Sequence, residues 1–282
     1  MAKRRYEMTE EKIERWLKEG RGVGYGRDYM PWLTVRDVPS LGREHRAYSH
    51  TVGRTHHLLS DLEFAHFLVL DMAHDVVDIR EQFPLPRDAT RHIATGLKYR
   101  HPRQPRTTCD IVMTTDLLAT RMVNGVQVLE AFAVKPSKEA EKKRTLQKLE
   151  IEGRYWESLG VRFGVLTEEH ISANLLRTLK WLQPVRSLHA ADQGTKNGVI
   201  RSSRTLLLAL TRPTNLNLFL TDLCTRLDQT DDIEAGSHLF AARYLLSNRV
   251  LLADLNSAEI WRSRVKELSI NEHLDVKESF LE

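Results

Sequence analysis

The sequence predicts an α/β domain followed by a mostly helical domain, and the pattern of apolar residues supports both parts. In residues 1–168 the periodicity changes in the order helix, hairpin, helix, strand, which indicates a mixed sheet flanked by helices. In residues 169–282 helical segments follow one another and end in a short strand, RVLLADL, as in a winged-helix domain. A chain of 282 residues has room for both, so we predict two domains with these bounds.

The N-terminal elements are predicted to be short. TEEKIERWLKEG carries a helical pattern in which Ile13, Trp16 and Leu17 share one side, and Gly20 ends it. The next segment, GRGVGYGRDYMPW, follows no apolar strand and lacks the lysine and hydroxyl of a phosphate-binding loop. We therefore predict a flexible surface loop there. EHRAYSH and THHLL are predicted to form two short strands.

A helix is predicted from Ser60 and a strand in VVDIREQFPL, and the stretch after them is strongly basic. Between Arg87 and Arg106, six Lys or Arg residues accompany one acidic residue, with His and Pro among them. This composition predicts an exposed loop. Such a loop either meets phosphate groups electrostatically or is simply solvated, and both interpretations stay open.

The central feature is a predicted β-hairpin in TTDLLATRMVNGVQVLEAFAVKP. An Asn-Gly pair between two apolar stretches is the strongest short-range signal for a two-residue hairpin turn. With that pair as the loop, Asp116 lies opposite Ala133, and Lys135 is its diagonal neighbour. Side chains alternate with a period of two, so Asp116 and Lys135 share one face. They form either a solvated cross-strand ion pair or part of a functional site.

The elements after the hairpin complete both domains. SKEAEKKRTLQKLEIEGRYWESLG predicts a long charged helix with an apolar stripe through Leu146, Leu149 and Trp156, and RFGVLTEE predicts a strand. HISANLLRTLKWLQPV, LNLFLTDLCTRL and EAGSHLFAARYLLSNR predict further helices. The polar segment ADQGTKNGVIRSSR predicts an exposed connection. The C-terminal tail, residues 266–282, is acidic, with five acids against two bases.

Glu63 is a further acidic candidate, and its sequence context allows two interpretations. Ser-x-x-Glu before an apolar run, here SDLE, is a capping box in which the glutamate folds back on the helix start. Alternatively, the helix start directs this carboxylate toward the face that carries Asp116 and Lys135. The pattern alone favours the cap, and the two interpretations partly exclude each other. The rival carboxylates are Asp61, Asp78, Glu81 and Asp110.

Two carboxylates and a lysine have a chemical use together. Carboxylate oxygens hold Mg²⁺, which keeps several waters and takes substrate phosphate oxygens as further ligands. The ion polarises a phosphoryl group and activates a bound water, while a nearby lysine offsets developing negative charge. An acid, then a hairpin, then a short apolar run ending in lysine is the pattern of metal-dependent nucleases of the restriction-endonuclease type.

The composition excludes several other classes. No apolar run approaches the roughly 18 residues of a membrane span, and no signal-peptide pattern is present. We therefore expect a cytoplasmic protein with no membrane partner. Cys109 and Cys224 are too few and too far apart for a disulfide framework or a cysteine zinc site. The formal charge of +4 and the pI near 9.0 permit a polyanionic partner.

Several blocks of the sequence resemble the TnsA endonuclease subunit of heteromeric, TnsABC-type bacterial transposases. They are GRDYMPWLTVRDVPS, GRTHHLLSDLE, DIREQFPL, VMTTDLL followed by AVKP, and RTLQKLEIEGRYW. They lie in matching order within residues 20–168, whereas the C-terminal third matches mainly by position and helical character. The resemblance implies a restriction-endonuclease-like fold followed by a winged-helix-like domain. It also implies metal-dependent hydrolysis of the strands at the 5′ ends of a transposon.

The resemblance implies roles for individual residues. By motif, Glu63 and Asp116 are the catalytic acids and metal ligands, Lys135 is the catalytic lysine, and the cofactor is Mg²⁺, for which Mn²⁺ substitutes. Family members often carry a polar, metal-ligating residue two positions before the lysine, where this chain has Ala133. A methyl group cannot bind a cation. The ion then needs the backbone carbonyl of Val134, further waters or a DNA phosphate.

The implied partners are DNA at the transposon ends, a TnsB-type integrase-like subunit that cuts and joins the 3′ ends, and a TnsC-type AAA+ ATPase. The C-terminal domain, with its acidic tail, is the implied dock for the ATPase. Two other functions stay open. One is a free-standing restriction or repair nuclease. The other is a non-catalytic adaptor between DNA and the ATPase, and this alternative stays open because Ala133 cannot bind a metal.

Overall fold

The computed structural model describes residues 7–37, 43–188 and 191–271 of the chain. It divides into two compact units, Met1–Ile171 and Ser172–Glu282. Most of the acidic tail, residues 272–282, lies outside the described residues. Within the described ranges, no helix combines the length and the apolar character needed to cross a bilayer.

The first unit is an α/β structure built on one mixed sheet. Its elements are α1 (Glu10–Lys18), β1 (His45–Tyr48), β2 (Thr55–Leu58), α2 (Asp61–Met72), β3 (Val76–Pro84), α3 (Arg87–Gly96), β4 (Thr114–Val123), β5 (Val126–Val134), α4 (Ser137–Ala140), α5 (Lys143–Ser158) and β6 (Arg162–Leu166). The sheet order is β3-β4-β5-β6. Its first three strands are antiparallel, and β6 is parallel to β5. The parallel pair needs a crossover, which α4 and α5 supply. The predicted mixed sheet is confirmed.

The β4–β5 hairpin has the predicted register. Val123 pairs with Val126, and the ladder continues to Leu117 opposite Phe132. The two loop residues, Asn124 and Gly125, have φ angles of 51° and 78°. Positive φ at both central residues is what a type I′ turn requires, and Asn-Gly is the pair that adopts it at least cost. The predicted two-residue loop and the predicted register are therefore confirmed.

The charged helix after the hairpin differs from the prediction in its start and in its buried side. A short α4 precedes α5, which begins only at Lys143. Leu149 and Trp156 are buried, but Leu146 is 52% exposed. The buried side of α5 starts after the first turn, and one of its members is the charged Glu152. Trp156 packs with residues of β4, β5 and α3 in the main core of this unit.

The basic stretch from Arg87 to Arg106 was predicted to be an exposed loop, and that prediction is wrong for its first half, which is helix α3. Thr90 and Ala94 are buried on the helix, at a spacing of four residues. Such small buried residues give only a weak apolar pattern, so the basic composition of the segment led to the prediction of a loop. Several of the cations are also paired within the protein: Arg87 with Glu10, and Arg91 and Arg103 with Asp110.

The N-terminal segments also depart from prediction. On α1, Ile13 and Trp16 are buried, but Leu17 is 60% exposed. The glycine-rich stretch is not a surface loop throughout, since Tyr29 and Trp32 within it are 4% and 0% exposed. Trp32 packs edge-on against Trp16, with ring centroids 5.3 Å apart. The buried aromatic residues anchor this segment, and Gly22 lets its backbone approach Pro84 more closely than a side chain would allow.

The second unit is mostly helical and ends in a small sheet. Its elements are α6 (Ala173–Leu182), α7 (Gln193–Leu210), α8 (Leu220–Thr230), α9 (Ser237–Ser247), β7 (Leu251–Leu252) and β8 (Ser269–Ile270), of which the two strands pair antiparallel. Helix α9 packs against both α7 and α8. Helices followed by a two-stranded sheet are the element order predicted for this part of the chain.

One segment of the second unit was predicted wrongly. ADQGTKNGVIRSSR was expected to be an exposed connection, but most of it forms the first part of α7. Asp192 caps the helix by accepting a hydrogen bond from the Thr195 N–H. Val199, Ser202 and Ser203 are buried on α7. Serine at buried helical positions removes the apolar periodicity that would have revealed a helix.

Candidate active site

Three elements of the first unit bring the predicted site residues together. Asp116 is the third residue of β4, and Lys135 directly follows β5. The Lys135 N–H donates to the Leu166 carbonyl, which fixes its backbone beside β6. Glu63 lies in the first turn of α2, which packs against β3, β4 and β5. The sheet and one helix start therefore converge on a single location.

Lys135 and Asp116 are in direct contact. The Lys135 ammonium lies 2.6 Å from Asp116 Oδ2, and the Val134 N–H donates to the same oxygen over 2.7 Å. Lys135 also donates to the Val134 carbonyl oxygen, 3.0 Å away. Asp116 is only 7% exposed, so this pair does not lie on a solvated sheet face. These hydrogen bonds hold the Lys135 ammonium against Asp116 Oδ2, and Asp116 Oδ1 takes no part in them.

The charge state of Lys135 follows from these contacts. Burial by itself lowers the pKa of a lysine, but the charge and the hydrogen bond of Asp116 outweigh that effect and raise the pKa of Lys135. The side chain is therefore a cation at neutral pH. A cation there can offset negative charge near Asp116, but it has no free electron pair with which to accept a proton.

Glu63 is both part of a helix cap and part of the site. Ser60 Oγ accepts from the Glu63 N–H, which is the first half of the predicted cap. The carboxylate does not complete a standard capping box, because Oε2 accepts from the Leu59 N–H, 2.9 Å away. From this position the same oxygen also faces Gln82 of the sheet. The helix start and the carboxylate cluster therefore share Oε2 of this side chain.

Gln82, which was not predicted from the sequence, joins the two carboxylates. Its side-chain Nε2 lies 3.5 Å from Glu63 Oε2 and 3.3 Å from Asp116 Oδ1. Its Oε1 accepts from the Thr114 hydroxyl over 3.0 Å. The position depends on how β3 pairs with β4, which are separated by a long stretch of chain. The local sequence carries no signal for that register.

Glu63 is buried in a way that opposes its ionisation. Its exposed fraction is 6%, and burial, together with the nearby charge of Asp116, raises its pKa from 4.5 to about 8. Two buried carboxylates at one place repel each other, and the single positive charge of Lys135 offsets only part of that repulsion. The donor set is therefore chemically suited to a divalent cation, whose charge would favour the ionised form of Glu63.

Glu152 of α5 is a second residue near the site that was not predicted from the sequence, and it is acidic. Its Oε1 accepts from the Thr115 hydroxyl over 2.7 Å, and the Trp156 indole N–H donates to the same hydroxyl over 2.8 Å. Burial, and then the charge of Asp116, raises its pKa to about 8. Glu152 stands three residues after Leu149, which places it on the buried side of α5, but its contact with Thr115 of β4 depends on how distant segments pack.

The rival carboxylates are engaged away from this cluster. Each lies beside a basic or imidazole group: His45 for Asp61, Arg80 for Asp78, Arg54 for Glu81, and Arg91 and Arg103 for Asp110. Of the acidic candidates considered from the sequence, only Glu63 and Asp116 lie beside Lys135.

The oxygens available for a metal are fewer than in a closed protein site. Within the described ranges, no three His, Cys, Asp or Glu side chains are gathered closely enough to hold a metal by themselves. Glu63 and Asp116 supply carboxylates, and the Val134 carbonyl lies beside them. Ala133, 1% exposed, supplies only a methyl group. Such a set suits Mg²⁺, which completes its coordination with water and substrate phosphate and does not need an all-protein cage.

Comparison with known proteins agrees with the geometry. Residues 73–168 match the family of the TnsA-like endonuclease N terminal domain, and residues 170–255 match that of the TnsA endonuclease C terminal domain. The chain is also 39% identical over 248 residues to the transposon Tn7 transposition protein TnsA of Escherichia coli, an alignment that covers 88% of this chain and 87% of that protein. A mixed-sheet site of two carboxylates and a lysine is thus found in a chain related to TnsA along most of its length. The chain belongs to the TnsA family of transposition endonucleases.

Proposed function

We propose that this chain is the Mg²⁺-dependent endonuclease subunit of a transposase, with Mn²⁺ as a substitute, and that it hydrolyses the strands at the 5′ ends of a transposon. The observation that carries this proposal is the 2.6 Å contact of Lys135 with Asp116, which Gln82 connects to Glu63. A buried carboxylate pair with an adjacent fixed cation is a costly arrangement for a fold to maintain without a chemical use.

The roles of the residues follow from their chemistry. When bound, the divalent ion supplies Lewis-acid polarisation of the phosphodiester and a more acidic water. Glu63 and Asp116 would hold that ion through their carboxylate oxygens, with the Val134 carbonyl as a neutral donor. Lys135, held as a cation by Asp116, would orient the attacking water and offset the negative charge that develops on the phosphate. Hydrolysis then adds the water oxygen to phosphorus as one ester P–O bond breaks.

The same proposal includes partners. The relative in Escherichia coli is named a Tn7 transposition protein, and by that relationship we propose that this chain acts on transposon-end DNA. We further propose a TnsB-type transposase subunit, which handles the 3′ ends, and a TnsC-type AAA+ ATPase, which meets the C-terminal unit. In this assembly the chain makes one of the two strand cuts at each transposon end, and the transposase subunit makes the other.

The test is strand-resolved cleavage in the reconstituted assembly. Purified chain, the transposase subunit, the ATPase and a donor DNA labelled separately on each strand are combined with Mg²⁺, with Mn²⁺, or with EDTA. We expect cuts at the 5′ ends with either metal and none with EDTA. The control is an otherwise identical reaction without this chain, in which cleavage of the 3′ strand by the transposase subunit is measured.

The same experiment separates the alternatives. Cleavage of plasmid DNA by the isolated chain with Mg²⁺ would favour a free-standing nuclease. Complete assembly and 3′ joining without any 5′ cut, in every metal condition, would contradict the proposal and favour an adaptor. A 5′ cut that survives EDTA would remove the metal from the mechanism.

A further inference from the structure

We propose that Gln82 is a third side-chain ligand of the divalent cation and binds it through the side-chain carbonyl oxygen Oε1. This inference rests on the proposed metal-dependent function and deepens it. The pattern of two carboxylates and a lysine assigns no role to this residue.

Gln82 is placed at the site by the sheet. Glu81 pairs with Leu117, and Phe83 pairs with Thr115, so Gln82 stands opposite Asp116 on the neighbouring strand. Gln82 is 2% exposed, and the Trp32 N–H donates to its backbone carbonyl. Its φ of 47° lies in the left-handed region, which costs an ordinary residue about 1–2 kcal/mol. The surrounding packing therefore holds this backbone in an unfavourable conformation while the side chain faces the carboxylates.

The amide nitrogen occupies the point where the two carboxylates converge. Nε2 lies between Glu63 Oε2 and Asp116 Oδ1, at 3.5 Å and 3.3 Å. Its hydrogens carry partial positive charge, so the amide offsets part of the repulsion between the two acids. A divalent cation is attracted to the same point far more strongly, because its full charges act in a poorly solvated place.

A cation at this point and the present amide orientation exclude each other, since the N–H groups would face a positive ion. A half turn of the amide about χ3 exchanges Nε2 for Oε1 and presents a neutral oxygen of the kind that Mg²⁺ binds. That torsion is soft in glutamine. The Thr114 hydroxyl now donates to Oε1, and a hydroxyl can equally accept from Nε2. The half turn therefore keeps the hydrogen bond with Thr114, while the cation takes the place of the two Nε2 contacts with the carboxylates.

Gln82 also supplies what Ala133 lacks. The hairpin register places Ala133 next to Asp116 on the β5 side, one step beyond the Leu117–Phe132 pair, and Gln82 stands on the β3 side. A polar ligand missing from one neighbour of Asp116 is thus available from the other. The arrangement gives two carboxylates and one amide oxygen from three separate elements, β3, β4 and α2.

The first test measures metal affinity without catalysis. Mn²⁺ binding to the full chain is followed by calorimetry, with no DNA present, for the wild type, Gln82→Met and Gln82→Glu. Loss of even an outer-shell partner weakens metal binding about 10–100-fold, so we expect Gln82→Met to weaken it by at least about tenfold. Gln82→Glu keeps an oxygen at the same reach and is expected to bind at least as tightly as the wild type. Gln127→Met, on the exposed part of the hairpin, is the matched control and should bind as the wild type does.

The second test distinguishes a ligand from a residue that only spaces the carboxylates. The side-chain amide of Gln82 is assigned in glutamine-labelled protein from the signal lost in Gln82→Glu. Mg²⁺ is expected to shift the amide carbon of Gln82 and to leave that of Gln127 unchanged, as coordination through Oε1 requires. An unshifted Gln82 amide in metal-loaded protein overturns the proposal, as does wild-type affinity in folded Gln82→Met. If the wild type binds no Mn²⁺ at all, the proposal for Gln82 fails, and the strand-resolved cleavage assay with Mn²⁺ in the assembly tests the proposed function separately.

Discussion

Replacing Asp116 with asparagine is expected to abolish hydrolysis at the transposon 5′ ends while 3′ joining by the partner subunit remains measurable. Asparagine keeps an oxygen that can accept from the Val134 N–H and from Lys135, which bond Asp116 Oδ2 at 2.7 Å and 2.6 Å. The substitution removes the negative charge that attracts the divalent cation and pairs with the Lys135 ammonium. A loss of about 4 kcal/mol of transition-state stabilisation corresponds to about 10³-fold in rate, and we expect at least that.

The measurement is the rate of each strand cut in the reconstituted assembly, compared with Asp88→Asn as control. Asp88 lies on α3 with a side chain 98% exposed, so its loss of charge should leave both cuts at the wild-type rate. Double-strand excision by Asp116→Asn at a rate within tenfold of wild type would contradict the role of this carboxylate. The alanine variant is expected to give the same strand pattern with a larger loss of stability.

Replacing Glu152 with glutamine is expected to stabilise the protein increasingly as the pH rises from about 5 to 8. In the unfolded chain this carboxyl titrates near 4.5, and in the folded chain near 8. The folded state therefore binds the proton more tightly, and the free energy of unfolding falls with rising pH between these values, by up to about 1.4 kcal/mol per pH unit. Below the pKa of the unfolded state, 4.5, the contribution of Glu152 to the free energy of unfolding does not change with pH. Above the pKa of the folded state, about 8, that contribution is lost completely.

Glutamine at position 152 keeps the oxygen that accepts from the Thr115 hydroxyl but has no proton to lose. The difference in Tm between Glu152→Gln and the wild type is measured by thermal unfolding at pH 5.5, 6.5 and 7.5, so that groups common to both proteins cancel. Glu150→Gln is the matched control, because Glu150 lies on the same helix with an exposed hydrogen bond from Tyr99. Parallel pH curves for Glu152→Gln and the wild type would contradict the buried, proton-retaining state of this carboxyl.

The part of the site that a sequence can predict is the part set by a local rule. Asn124 and Gly125 fix the turn, the turn fixes the register, and the register brings Asp116 near Lys135 without knowledge of the rest of the fold. The role of Glu63 could not be predicted in this way, because its sequence context by itself favours a helix cap. Only the resemblance to a known family favoured it, and the structure has the helix cap and the site at the same helix start.

Gln82 and Glu152 depend on contacts between distant segments. The pairing of β3 with β4 spans residues 85–113, and α5 reaches Thr115 only through the packed core. Helices α3 and α7 were not predicted for a different reason. In α3 and α7 the buried positions include Thr90, Ser202 and Ser203, whose small polar side chains pack well but leave no apolar period.

The central claim is that Glu63 and Asp116 hold one divalent cation beside Lys135. Crystals of the chain grown with Mn²⁺ and measured at the manganese absorption edge test it directly. We predict an anomalous peak within ligand distance of both carboxylates, with the Lys135 ammonium next to it. A peak at any other place, or the three side chains turned toward separate environments in the metal-loaded protein, would contradict the claim.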